Sequence, residues 1–188
     1  MTGRALTGAL LALSLVLTPA VLPARADQTD PHLDGLFDRL QHTASAGEAE
    51  AILQQIWTLW IDTDKPERIK LMAAGMVSMS RSRLQDALVA FTTLIEAAPD
   101  YAEAWNKRAT VRFLMGDFNG SLEDIEHTLK LEPRHFGALA GLGVILTEIE
   151  QYEGAIKAYE RLLKVNPFAP GAREQIELLH YKAKDKET

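Results

Sequence analysis

The sequence predicts an all-α fold in which helical hairpins of equal length stack in register. Pro99, Pro133 and Pro167 lie 34 residues apart, and the small and apolar residues upstream of each proline recur with them. Hydrophobic residues make up 47% of the chain and charged residues 24%, as in an ordinary soluble protein, so disorder of the whole chain is not expected.

The recurring positions form columns, with one residue from each unit. These columns include Leu71, Trp105 and Leu139; Gly75, Ala109 and Gly143; Ala87, Ser121 and Ala155; and Phe91, Ile125 and Tyr159. Small residues such as Gly143 and Ala155 are expected to face each other where antiparallel helices cross closely, and Trp105 and Tyr159 to fill the space beside the crossing. One hairpin cannot bury both faces, so the units must stack.

The repeat region spans 66–169, divided into units 68–101, 102–135 and 136–169. In the second unit, Asp100 is expected to cap a helix running to about Met115, where Gly116-Asp117 would break it. A helix over Phe118–Leu131 then ends before Pro133, because the residue preceding a proline avoids helical geometry. The same pattern predicts helices over Phe136–Ile149 and Tyr152–Val165.

The flanks of the repeat region are also helical in pattern. Residues 27–65 predict a hairpin with the apolar stripes Leu33, Leu36, Phe37, Leu40 and Ile52, Leu53, Ile56, Trp57, Trp60. This hairpin is either a degenerate fourth repeat or an unrelated cap, with a hinge at Thr63–Lys65. Residues 170–188 predict a closing helix over 170–184, with Ile176, Leu179 and also Leu178 as candidates to face the last repeat, and a polar tail.

Residues 1–26 have the layout of a secretory signal peptide. Arg4 precedes an apolar run over 5–17, Pro19 breaks the run, and Ala24-Arg25-Ala26 offers a cleavage site before Asp27. Cleavage after Ala26 would place the mature chain in the periplasm or outside the cell, with no stable membrane span. The alternative is an uncleaved anchor, although the prolines shorten the apolar stretch below the ~20 residues that a span needs.

Charge and cysteine content exclude several function classes. Cleavage would remove Arg4 and Arg25 and leave 18 basic against 26 acidic residues, a net charge of −8 that disfavours nucleic acid as a partner. The chain has no cysteine, which excludes disulfides, a thiolate zinc site and a cysteine nucleophile.

The repeat residues resemble a known family. They are Trp105, Ala109, Gly116-Asp117-Phe118, Ser121, Ile125 and Pro133, then Leu139, Leu142, Gly143, Tyr152, Ala155, Tyr159 and Pro167. Together they resemble the tetratricopeptide repeat (TPR) over residues 68–169. The resemblance implies a right-handed solenoid of three repeats whose first helices line a concave groove for a peptide or helix. The first repeat lacks the usual aromatic residue, and Arg112 stands where an aromatic or aliphatic residue is usual.

Helical spacing selects the residues expected to face this groove. They are Ile69, Met72, Met76 and Met79; Glu103, Asn106, Lys107, Thr110 and Phe113; and Gly137, Ala140, Gly141 and Val144. Because only Asn106 and Lys107 could hold a terminal carboxylate, we expect an apolar or amphipathic segment as ligand. Met72, Met76 and Phe113 would anchor it, with rim charges at Glu103, Lys107 and Glu148. The alternative is that the methionines belong to the core.

No catalytic, metal or cofactor site is predicted. Glu123, Asp124 and His127 lie within one turn, but on the expected outward side of a helix, where such residues are ordinary surface. Asp62-Thr-Asp64 begins like a calcium loop without its glycine and distal glutamate. His135 lies in an inter-repeat turn with no partner at helical spacing.

The function expected from the sequence is therefore that of an exported, non-enzymatic interaction module, such as an adaptor or accessory subunit of a cell-envelope assembly. Its partner would be a protein or peptide with an apolar segment, and the exposed solenoid end could stack on a second copy. The alternatives are a regulatory or accessory domain of an envelope hydrolase and a purely structural spacer.

Overall fold

The computed structural model describes residues 28–61 and 65–186, and the regular secondary structure in these ranges is helical. The helices are α1 His32–His42, α2 Ala46–Ile61, α3 Pro66–Ser80, α4 Leu84–Ala97, α5 Ala102–Leu114, α6 Phe118–Leu131, α7 Phe136–Glu148, α8 Tyr152–Val165 and α9 Ala172–Lys186. The predicted bounds of α6 and α8 are confirmed, and α5 and α7 each end one residue earlier than expected. The predicted signal peptide, and Thr63 and Asp64 of the predicted hinge, lie outside the described residues.

The six helices α3 to α8 form the predicted solenoid. The pairs α3–α4, α5–α6 and α7–α8 pack as hairpins, α4 packs on α5, α6 packs on α7, and α9 closes the stack against α8. On α9, Leu179 is fully buried and Ile176 partly buried, whereas Leu178 faces solvent, contrary to its expected inward position. Across the described residues, no helix combines the length and apolar character that crossing a membrane requires.

Close contact between an aromatic ring and a glycine explains the small columns. A Cβ atom added at Gly143 would lie 2.6 Å from Cζ of Tyr159, and one at Gly75 would lie 2.5 Å from the ring of Phe91. The nearest groups to Gly143 are therefore the ring atoms of Tyr159, rather than Ala155 as the sequence suggested. Ala155 is fully buried in the same hairpin, so its small size still serves close packing.

Trp105 does not fill the interior as predicted. It is partly buried, its ring stacks on the exposed His127 with ring centroids 4.2 Å apart, and its Nε1–H donates to the carbonyl of Pro99 at 2.9 Å. The indole keeps its polar edge near the surface because that edge needs a hydrogen-bond acceptor. Trp105 therefore packs between α5 and α6 at the surface of the hairpin.

Asp124 is a second correction, because it faces inward. It is 1% exposed and receives two hydrogen bonds from Arg108, Nε to Oδ2 at 2.9 Å and Nη2 to Oδ1 at 2.8 Å. Nη1 of Arg112 lies 3.2 Å from Oδ1 and also donates to the carbonyl of Gly120 at 2.8 Å. This ionic cluster ties α5 to α6 and explains how a charged Arg112 fits a usually apolar position.

The N-terminal hairpin does not extend the solenoid. Helix α1 packs against α8, and Trp60 of α2 stacks on His135 and Phe136 at the start of α7. Arg134 in the turn before α7 pairs with Asp34 of α1, with Nη1 2.7 Å from Oδ1. The hairpin thus packs on α8 and on the turn that precedes α7.

Candidate binding groove

A cleft opens on the concave face between the second and third repeats. Its volume is about 140 Å³, and its lining residues come from α5, α6 and α7: Asn106, Ala109, Thr110, Phe113, Ser121, Ile125, Gly137, Gly141, Val144 and Ile145. Ile125 and Ile145 are buried, whereas Val144 is exposed. Because most of these groups are apolar and Gly137 and Gly141 lack side chains, the wall of α7 leaves room for the backbone of a bound chain.

A second cleft continues the first along the solenoid. It has a volume of about 370 Å³ between α7, α8 and α9 and is lined by Ala140, Val144, Thr147, Glu148, Tyr159, Leu162, Pro170, Gly171 and Gln175. Val144 borders both clefts. The two clefts therefore lie side by side at Val144, and together we call them the groove.

Apart from Glu103 and Lys107, the structure separates the predicted groove residues into three groups. Asn106, Thr110, Phe113, Gly137, Ala140, Gly141 and Val144 line the two clefts. Ile69 and Met76 are exposed on α3, 48% and 44% respectively. Met72 is buried in a core cluster with Phe91 and Leu94, and Met79 packs against the same cluster, so the core interpretation is correct for these two methionines.

Glu103 is not a rim charge, because it is only 1% exposed. Its Oε2 lies 2.9 Å from Nε2 of His135 and accepts from Nδ2 of Asn106 at 3.0 Å, and its Oε1 lies 2.9 Å from Nζ of Lys107. Burial alone would raise the pKa of the Glu103 carboxyl. The hydrogen bond from His135 and the charge of Lys107 outweigh burial and hold the pKa of Glu103 below its ordinary value.

The N-terminal hairpin closes the end of the groove at this cluster. Nζ of Lys107 lies 4.5 Å from the ring centroid of Trp57, and the ring of Trp60 stacks on His135 at 4.2 Å between centroids. Glu103, Lys107 and His135 are therefore covered by the chain's own α2. The open part of the groove begins at Thr110, since Asn106 is itself buried.

His135 is the structural residue that sequence reasoning missed. It is fully buried, its Nδ1 accepts from the backbone N–H of Ala138 and so caps α7, and its partner Glu103 is 32 residues away. No periodic pattern within one helix could show this pair. The only signal was an acid, Glu103, in a column otherwise occupied by Ile69 and Gly137.

Comparison with known proteins decides the family. The tetratricopeptide repeat model matches residues 107–172. A TPR repeat-containing protein of Rhizobium etli is 35% identical over 188 residues, which cover 93% of this chain and 92% of that protein. This chain belongs to the tetratricopeptide repeat family.

Solved TPR structures share the fold. The Sgt2 TPR domain from Aspergillus fumigatus superposes with a TM-score of 0.60 at 23% identity, covering 65% of this chain and 83% of that domain. The first TPR of Spaghetti (RPAP3), bound to the HSP90 peptide SRMEEVD, gives a TM-score of 0.62 at 20% identity and covers 64% of this chain and 96% of that chain. At these identities the likeness concerns the solenoid alone.

Within this TPR groove, the two groups suited to a carboxylate are already engaged. The amide of Asn106 donates to Glu103, and the ammonium of Lys107 pairs with the same carboxylate. A peptide carboxylate would have to displace a buried ion pair to reach them, which is costly. Among the residues that the structure describes, no cluster of three or more His, Asp or Glu side chains is arranged to hold a metal ion.

Proposed function

We propose that this TPR protein is an exported interaction module that holds an apolar segment of a partner polypeptide in its groove. The observation that supports this most directly is the lining of the cleft between α5 and α7, to which Phe113 and Val144 contribute apolar side chains and Gly141 contributes only backbone. TPR proteins generally act as interaction modules. The apolar ligand and the export are the parts that this protein's own residues suggest.

The chemistry of the groove favours an uncharged, apolar ligand. Thr110 offers a polar contact at one side, while Phe113 and Val144 offer accessible apolar area. An apolar side chain of the ligand would gain about 25 cal/mol for each Å² removed from water. The acidic peptide SRMEEVD of the Spaghetti complex would find Lys107 and Asn106 already paired with Glu103.

Cellular location is a separate part of the proposal. The charged start, the apolar run and the Ala24-Arg25-Ala26 site support removal of residues 1–26 and a role as adaptor or accessory subunit in an envelope assembly. Protein recovered from the periplasm should begin at Asp27 when its N-terminus is sequenced. Recovery of the intact N-terminus in the cytosolic fraction would contradict this part alone.

A cleft-filling substitution tests the groove. A Cβ added at Gly141 would meet only the Ile125 side chain, at 3.5 Å, so Gly141→Leu should fold and place its side chain in the cleft. Gly47→Leu is the matched control, because Gly47 lies in α2 with open space around its Cα. Both changes replace a helical glycine by the same residue.

Peptides selected from a random display library on the immobilised wild-type protein provide the ligand. We expect them to share apolar positions, to bind Gly47→Leu as they bind wild type, and to lose about tenfold or more in affinity for Gly141→Leu. The peptide SRMEEVD should compete poorly. If the selected peptides bind Gly141→Leu as tightly as wild type, and circular dichroism shows both variants folded, the groove is not the binding site.

A further inference from the structure

Within residues 28–61 and 65–186, one face of α3 lacks the neighbouring helix that the other repeats have. Residues Glu67, Lys70, Ala74, Val77 and Arg81 follow one another at alternating spacings of three and four. This spacing places the first four on a single stripe of the helix, and Arg81 continues the stripe at the C-cap. We call this stripe the α3 seam. In the second repeat, 34 positions later, the corresponding residues are Tyr101, Ala104, Arg108, Val111 and Met115. In the third repeat, 68 positions later, they are His135, Ala138, Leu142, Ile145 and Ile149.

In the second and third repeats the centre of this stripe is core. Ala104 and Val111 are fully buried in a cluster with Phe91 and Leu94 of α4. Ala138 and Ile145 are likewise buried in a cluster with Ile125 of α6. In a TPR stack this face of the first helix therefore packs on the second helix of the preceding repeat.

In the first repeat the same positions face solvent. Val77 is 44% exposed, Ala74 is exposed, and the side chains of Lys70 and Glu67 are 74% and 83% exposed. The exposure of these residues shows that the described part of the N-terminal hairpin does not cover this face, and its Trp60 packs against α7 instead. The solenoid thus ends on an apolar centre flanked by charges.

We propose that a second copy of this protein covers the α3 seam, with the two α3 helices antiparallel and crossing at Ala74 on a two-fold axis. In this register Glu67 of each copy lies opposite Arg81 of the other, which makes two symmetric ion pairs at the ends of the contact. Ala74 at the centre lets the helices approach closely, and Val77 of each copy packs beside the crossing. The interface is isologous and therefore closes at two copies.

The charges select this arrangement over its alternatives. A parallel pair would set Glu67, Lys70 and Arg81 each against its own copy, and like charges facing each other are repulsive. Shifting the antiparallel pair by three residues would bring Arg81 opposite Lys70 of the partner copy. Arg81 and Glu67 are both exposed, and Glu67 has a 3.8 Å pairing to the exposed Lys70, so both side chains are accessible for the contact.

The expected dimer is weak. A helix of 15 residues is about 22 Å long, so one helix pair buries less than the roughly 1,200 Å² typical of stable complexes. We therefore expect a dissociation constant on the order of tens of micromolar. Sedimentation equilibrium of the protein as isolated from cells, at concentrations between about 5 and 300 µM, covers that range.

Charge-swapped variants test the pairing itself. Glu67→Arg alone places two arginines opposite each other at both ends, and Arg81→Glu alone does the same with two glutamates, so each should weaken self-association about tenfold or more. An equimolar mixture of the two variants restores both opposite-charge pairs, as does the double variant. Recovery of dimer in the mixture is the expected result. A wild type that stays monomeric at about 300 µM, or single variants that associate as well as wild type, would overturn the proposal.

Cross-linking provides a second, independent readout. The chain has no cysteine, so Ala74→Cys introduces a single thiol at the proposed two-fold axis. Val89→Cys is the control, because Val89 lies on α4 and is 57% exposed. Mild oxidation should give a disulfide-linked dimer at least about tenfold faster for Ala74→Cys than for Val89→Cys, because only the first pair of thiols is held within bonding distance. Equal rates for the two variants would place the contact elsewhere. Both readouts are separate from the Gly141→Leu test of the groove.

Discussion

His135 and Glu103 form a fully buried contact, with Nε2 of the imidazole 2.9 Å from Oε2 of the carboxylate. Because Nδ1 of His135 accepts a hydrogen bond from the backbone N–H of Ala138, we assign the proton to Nε2, which donates to Glu103. The pair therefore connects the start of α7 to α5. It lies beneath Trp60, at the point where the N-terminal hairpin meets the solenoid.

The buried pair predicts a specific pH dependence of stability. The pKa of Glu103 is held below its ordinary value, so its ionised form stabilises the fold fully above about pH 4.3, and this stabilisation is lost as pH falls further through the lowered value. Glu103→Gln should therefore cost ~1–3 kcal/mol at pH 7. Urea denaturation of wild type and Glu103→Gln at several pH values, from neutral to strongly acid, should show that the difference in their free energies of unfolding shrinks below about pH 4.3. If this difference stays constant or grows in acid, the ionised Glu103 does not stabilise the fold through its contact with His135.

Gly143 should not tolerate even a methyl group. Gly143→Ala places Cβ about where the ring of Tyr159 now lies, at 2.6 Å from Cζ, so the ring must move. We expect a loss of ~1–3 kcal/mol from overpacking, measured by chemical denaturation. Gly47→Ala is the control, since its open surroundings allow the usual gain of up to ~1 kcal/mol for alanine over glycine in a helix. Equal effects at the two positions would show that the ring contact is unimportant.

Asp124→Asn should destabilise the protein strongly. The change removes the negative charge that pairs Arg108 and Arg112, and the side chain of Arg108 is only 11% exposed. Leaving such a cation without its partner is expected to cost ~3–5 kcal/mol. The neighbouring Glu123→Gln removes the same charge from an exposed position, and should change the free energy of unfolding by less than ~0.5 kcal/mol. Thermal and urea unfolding of the two variants would reveal the difference, and similar losses would mean that Asp124 is not buried.

The two tryptophans Trp60 and Trp105 should differ in the cost of truncation. Trp60 is 1% exposed and packs on His135 and Phe136, so Trp60→Ala should cost ~3–5 kcal/mol through cavity formation. Trp105 is partly exposed, and Trp105→Ala should cost less, ~1–3 kcal/mol, because less area returns to water. The denaturation midpoints of the two variants, compared at equal m-values, give the order of their stabilities. A larger loss for Trp105→Ala than for Trp60→Ala would contradict the prediction.

Several features of the fold followed from the sequence because they depend on local spacing. Contacts within one hairpin set the period of 34 residues and the helix bounds of α6 and α8. They also set the need for a small residue at position 143. The groove-facing positions Thr110, Phe113, Gly141 and Val144 followed for the same reason, since helical spacing decides which residues share a face.

The sequence by itself determined the repeating hairpins and their stacking order, because each amphipathic helix carries the pattern of its own buried face. Only the tertiary structure decided that the N-terminal hairpin docks on the turns, that Asp124 is buried and that Glu103 meets His135. These contacts join residues 16 to 100 positions apart. A hydrophobic period records which face of a helix is buried, but it does not record which distant polar group satisfies a charge within that face.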